Sequence, residues 1–167
     1  MEIPNEKIIL KTTHWVINHR VDSSLSGYVM MQSCNGCLSL SDLPTEAIQE
    51  MGIFMSSIES TLKSRLSPIH LYIGKYGHTP NMPFHFHFIP VSQWLLDLFW
   101  RDERYRILSE FSKPSLAHLT DGAELTFFIW REFCEKEQTP PIQGLSVDEV
   151  ISMLRIELRR NDPINFK

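Results

Sequence analysis

With 167 residues, 43% of them apolar and 22% charged, the chain is sized and composed for one globular domain with a sizeable core rather than for two. Its net charge of −4, without a long basic run, argues against a nucleic-acid partner, because neutralising a phosphate backbone takes clustered Lys and Arg; a local cationic pocket for one small anion stays open. No apolar stretch approaches the ~20 residues of a membrane span, MEIPNEKIILKTTHW lacks the apolar core of a secretory signal, and three cysteines make no disulfide framework, so a cytoplasmic protein with no membrane partner is expected.

From Lys7 to Ser33 the chain reads as strand-rich. HWVINHRV and GYVMMQ are β-branched or aromatic runs separated by the turn-forming DSSLS, and Asn35-Gly36 marks a further tight turn. From Thr45 to about Leu66 the period changes. Ala47, Ile48, Met51, Phe54, Met55, Ile58 and Leu62 recur at three- and four-residue spacing, the stripe of an amphipathic helix. Asp42 or Thr45 is placed to cap it, Pro44 suits its first turn, and Ser67-Pro68 ends it. HLYIGKYG and FHFHFIPV read as two strands of a hairpin joined by the loop HTPNMP. The predicted strands are therefore 15–20, 28–33, 70–75 and 84–89, all antiparallel, with the helix packed on them.

After Pro90 the character becomes helical. Ser92 is placed to cap a helix through Trp100, Asp102 one to about Phe111, and Asp121 one through about Lys136. TPPIQG is a linker. Ser146 with Glu149 is a capping-box signature for a last helix to about Arg160. The expected class is α+β: an antiparallel sheet with one long packed helix, then a helical C-terminal extension.

In PFHFHFIP, strand alternation puts Pro83, His85 and His87 on one face and Phe84, Phe86 and Phe88 on the other. The two imidazoles then stand about 7 Å apart at Cα by strand rise. An imidazole with an ordinary pKa near ~6.5 serves as a neutral nucleophile, a proton carrier, or the bearer of a covalent phosphoryl or nucleotidyl group. Two other readings of an isolated HxH stay open. One is a solvated strand face. The other is a zinc site, which needs a third ligand, and none sits at an obvious spacing.

The strand and its context resemble the histidine-triad (HIT) family, whose signature is His-φ-His-φ-His-φ-φ with φ apolar. The signature falls on Pro83, Phe84, His85, Phe86, His87, Phe88 and Ile89, so the middle and third histidines match and the first is Pro83. WVINHRVDSSLSGYVMM resembles the family's first hairpin, with Asn18 before the turn and Gly27 opening the next strand. SLSDLPTEAIQEMGIFMSSIESTL resembles its lead-in and long helix. Residues 7 to 92 are covered in the right order. The resemblance implies a HIT-like core at 1–92 and, outside the common core, a helical extension at 93–167 packed on it within a single domain.

For function, the resemblance implies that His85 attacks the α-phosphorus of a nucleotide and forms a nucleotidyl-histidine. His87 would then bind phosphate oxygens and stabilise charge, and Asn18 would bond the ribose hydroxyls. The loop from Gly74 to Asn81 would lie beside the phosphates, with Gly77 and Thr79 as donors. The ligand class is a purine nucleotide or dinucleoside polyphosphate. No cofactor is required, and a divalent metal bound with the nucleotide is compatible. A homodimer is expected, since family sheets often continue across a two-fold axis. Pro83 keeps the carbonyl that in relatives orients the nucleophilic ring but loses the imidazole; His78 is the candidate replacement, and a slow or differently selective enzyme is the expectation.

Other features have plainer readings. Cys34-Asn35-Gly36-Cys37 suits a hairpin turn, with half a zinc site or a redox pair as the sharper alternatives. Trp15 is expected in the core, with a base-stacking wall as the alternative. In ELTFFIWREF, Phe127, Trp130 and Phe133 or Cys134 form an apolar stripe expected in the core, with Arg131 and Glu132 solvated; the minority reading is that this segment covers the active-site rim or a partner subunit. The leading function is hydrolysis of a nucleotide phosphoanhydride or phosphoramidate. The runner-up is a nucleotide-binding sensor or interaction module with weak or no catalysis. The third is a metal-binding structural protein using Cys34, Cys37 and a histidine.

Overall fold

The computed structural model describes residues 2–34, 36–76, 82–105 and 122–160. Among them runs a five-stranded antiparallel sheet: β1 (Ile8–Lys11), β2 (Trp15–His19), β3 (Val29–Ser33), β4 (His70–Gly74) and β5 (His85–Val91), in the spatial order β1-β2-β3-β5-β4. The four strands expected from sequence are present, and β1 joins them as an edge strand held to β2.

The long helix α1 covers Thr45–Leu66. Pro44 sits at its N-cap with extended backbone and makes no side-chain cap; neither Asp42 nor Thr45 caps it. Asp42 instead forms a capping box with Ser39 in the short turn ahead of the helix. Ala47, Phe54, Ile58, Thr61 and Leu62 are buried on its inner face, with Met51 and Met55 packed alongside. Ile48 points outward, against the expectation for the stripe. Ser67 ends the helix in the left-handed conformation, its N–H donating to the Lys63 carbonyl.

The sheet buries both faces. On the α1 side, Trp15, Ile17, Val29, Met31, Phe84 and Phe88 form one core with α1 and with the last helix, α4 (Val147–Arg160), through Val150, Ile151, Leu154 and Leu158. The Trp15 indole donates to the Ala47 carbonyl at 3.0 Å, so Trp15 is core. Ser146 and Glu149 close the expected capping box at the start of α4, and Arg155 reaches back to the Ile8 carbonyl of β1.

A second core gathers Leu25, Tyr28, Ile89 and Val91 with α2 (Gln93–Arg101), through Leu95 and Phe99, and with α3 (Ala123–Trp130), through Leu125, Phe128 and Ile129. The chain after Asp102 is helical through Tyr105; the remainder of the helix expected to Phe111, and the Asp121 cap, lie outside the described residues. Gly122 stands before α3 with φ +92°. After Trp130 the helix continues as one wide π-type turn, Arg131–Glu135. Such a turn shifts the helical register, and the expected stripe is corrected here. Phe133 is buried, Phe127 is 54% exposed, and Glu132 is buried rather than solvated, paired with Arg104 at 2.6 Å and with Lys136. No helix among the described residues is long and apolar enough to cross a membrane.

Candidate active site

β5 carries the site because its register leaves little choice. Phe84, Phe86 and Phe88 face the core beneath α1, so the pleat turns His85 and His87 to the opposite face. Neither is solvated: His85 is 7% exposed and His87 4%. Their rings lie 4.9 Å apart at 73°. Across the sheet His87 pairs with Met30 and His85 with Gln32, while Asn18 pairs with Met30. Asn18, Met30 and His87 therefore form one row on the histidine face, placing Asn18 about 10 Å from His87 by strand spacing.

The imidazole tautomers follow from what each ring nitrogen meets. His85 Nδ1 is 2.7 Å from the Pro83 carbonyl oxygen. A carbonyl only accepts, so Nδ1 carries the proton and Nε2 carries the lone pair. The bond uses the backbone of Pro83, so it needs no side chain at that position. His87 Nδ1 lies 3.0 Å from the Tyr28 hydroxyl. Burial, then the neighbouring His85 and the Arg20 cation, push the His87 pKa down to about 3. At that value His87 is neutral at physiological pH.

Three aromatic side chains wall His87, and Arg20 stands against two of them. Tyr28 makes an edge contact at 5.8 Å and Tyr76 a tilted one at 5.2 Å, while Trp130 stands 6.2 Å away. Arg20 lies over the rings of Tyr28 and Trp130, at 5.1 and 5.2 Å, and is clamped by both oxygens of Asp22. Tyr76 Oη also meets the Thr126 hydroxyl at 3.3 Å. Trp130 packs against the second core, as expected of the stripe, and also reaches the histidine face. The sequence carried a partial signal: Arg20 ends the HWVINHR run, Tyr28 follows Gly27, and Tyr76 lies within the Gly74-to-Asn81 loop assigned to the phosphates.

Asn18 donates through Nδ2 to the His19 carbonyl at 2.8 Å, and its Oδ1 is buried with no hydrogen-bond partner among the described residues. Gly77, Thr79 and His78 lie outside the described residues. Cys34 and Cys37 are free thiols aimed at different carbonyls, those of Thr12 and Asp42. No three His, Cys, Asp or Glu side chains among the described residues group closely enough to hold a metal.

No protein-family model matches the sequence, and no curated protein matches it. Solved structures do. The chain is similar to the C. elegans NitFhit protein at 17% identity, over 55% of this chain and 23% of that one, with a TM-score of 0.48; it spans about a quarter of that protein's length. It is similar to a Hit-like protein involved in cell-cycle regulation from Bartonella henselae at 16% identity, over 55% and 73% of the two chains, with a TM-score of 0.46. A Zn-bound histidine triad family protein from Mycobacterium smegmatis superposes over 96% of this chain and 88% of its own, at 13% identity and a TM-score of 0.53. This last likeness is one of fold: the chain has a HIT-like α+β fold.

Proposed function

We propose that the chain hydrolyses a nucleotide phosphoanhydride or phosphoramidate through a nucleotidyl group carried on His85. The observation that carries this is the His85–Pro83 bond, which leaves the Nε2 lone pair as the nucleophile beside a neutral His87. In the first step His85 Nε2 attacks the α-phosphorus. A nitrogen–phosphorus bond forms, and the bond to the leaving oxygen or nitrogen breaks, its electron pair and a proton from solvent leaving with that group. His87 donates a hydrogen bond to a phosphate oxygen as charge builds there. Water then attacks phosphorus and loses a proton to solvent, the nitrogen–phosphorus bond breaks with its electron pair returning to Nε2, and the nucleoside monophosphate departs. Asn18 is assigned to the ribose, and Gly77 and Thr79 to the phosphates.

The ligand proposed is a purine nucleotide or dinucleoside polyphosphate, with any divalent metal arriving on the nucleotide, and the assembly proposed is a homodimer. One observation favours the second reading, a nucleotide-binding module with weak or no catalysis: both histidines are buried, and Tyr76 and Trp130 pack on His87. A product screen against nucleoside phosphoramidates and dinucleoside polyphosphates separates the two. Release of nucleoside monophosphate supports the hydrolase; binding without product supports the module.

A further inference from the structure

Tyr28 Oη is the meeting point of three groups. Arg20 Nη1 and Trp130 Nε1 each lie 2.8 Å from it, and His87 Nδ1 lies 3.0 Å away. A phenol oxygen has two acceptor sites and one proton. Guanidinium and indole N–H groups only donate, so between them they fill both acceptor sites. Neither is free to turn away: Arg20 is held by Asp22 and stacked on both rings, and Trp130 is also packed by Tyr76 at 5.4 Å. The phenol proton therefore has one neighbour left to go to, His87 Nδ1. Accepting there places the His87 proton on Nε2.

We propose that Tyr28 is a positioning residue that fixes His87 as the Nε2–H tautomer, and that Trp130, supplied by α3 of the C-terminal helical segment, completes this lock. The proposal rests on the nucleotidyl-transfer reading above for what the His87 N–H is for. A residue just ahead of β3, a loop cation and a helix far along the chain thus converge on one proton. The C-terminal segment gains a role at the site beyond covering it. Burial holds the Tyr28 phenol protonated, its pKa pushed up to about 12, so the donor is present throughout the working range.

The test is nitrogen-15 NMR of the histidine rings in the full-length chain at neutral pH, with His87→Gln assigning the signal. The parent should show His87 protonated at Nε2 and bare at Nδ1. Tyr28→Phe removes the donor to Nδ1, and Trp130→Phe frees an acceptor site on the phenol, so each should give a mixture of tautomers. With a nucleoside phosphoramidate, each should lower kcat by roughly tenfold at nearly constant KM, because the donor acts in the transition state. A parent His87 protonated at Nδ1, or a pure Nε2–H ring in both folded variants, overturns the lock. If Tyr28→Phe fails to fold, Trp130→Phe carries the test alone. The ring signals need no substrate, so a chain that turns over no nucleotide defeats the proposed function while leaving the tautomer result readable.

Discussion

His85 Nδ1 and the Pro83 carbonyl oxygen stand 2.7 Å apart, two residues along one chain segment. The bond depends on the path of the backbone and not on the side chain at position 83. Pro83→Ala keeps the carbonyl, so turnover should stay within about threefold of the parent, the range of a change that leaves transition-state contacts intact. A hundredfold loss in Pro83→Ala, measured by steady-state product release, would show that the proline ring itself holds the nucleophile.

His87 makes stability depend on pH in a set direction. Burial first, then His85 and Arg20, lower its pKa from 6.5 to about 3, while an unfolded chain takes up that proton near 6.5. Between these values the unfolded state binds more protons, so the contribution is full above pH 6.5 and declines as pH falls toward 3. Burial lowers His19 as well and adds in the same direction. Urea midpoints collected from pH 7.5 to 4 should fall less steeply in His87→Gln than in the parent; parallel curves would remove His87 from the account.

Gly27 is a folding position. Its φ is +82°, and a Cβ there would lie 2.6 Å from Leu66 Cδ1 and 3.1 Å from Pro90 Cγ. Gly27→Ala should cost about 2–4 kcal/mol, the sum of a left-handed backbone penalty and overpacking. Gly36, with φ +67° and open space around its Cβ position, isolates the backbone part, and Gly36→Ala should cost about 1–2 kcal/mol. Equal denaturation midpoints for the two variants would contradict the packing argument.

Asn18 keeps a buried carboxamide oxygen without a partner among the described residues, in the same cross-sheet row as His87. A ribose hydroxyl bonded there would be held equally in ground and transition states. Asn18→Ala should therefore raise KM by roughly tenfold and leave kcat within about threefold. A loss confined to kcat would place Asn18 in the chemistry instead.

The strands and α1 were legible because each repeats a burial pattern. Alternation in FHFHFIP and the Ala47-to-Leu62 stripe reflect faces pressed against one core, and that requirement is written into every second or every third-to-fourth residue. β1 is short and on the sheet edge, so it has too few alternations to separate from its surroundings. The pairing of His85 with His87 on one face was legible for the same reason, but their burial was not. Nothing local in PFHFHFIP says that Trp130, more than 40 residues on, will lie against that face. Glu132 was read as solvated because straight α-helical periodicity was carried through Arg131–Glu135, which is a π-type turn. Arg20 and Tyr28 sit at strand ends, where sequence gives no periodic cue and contacts come from distant segments.

The most direct measurement is intact-protein and peptide mass spectrometry of enzyme quenched in mid-turnover with a nucleoside phosphoramidate, run on the parent and on His85→Ala. The parent should gain one nucleotidyl group, mapped to His85 and released by longer incubation. His85→Ala should show no adduct and lose on the order of 10³-fold or more in rate, while still binding a non-hydrolysable analogue. An adduct on another residue, or near-full turnover by His85→Ala, would contradict the assignment of His85 as the nucleophile.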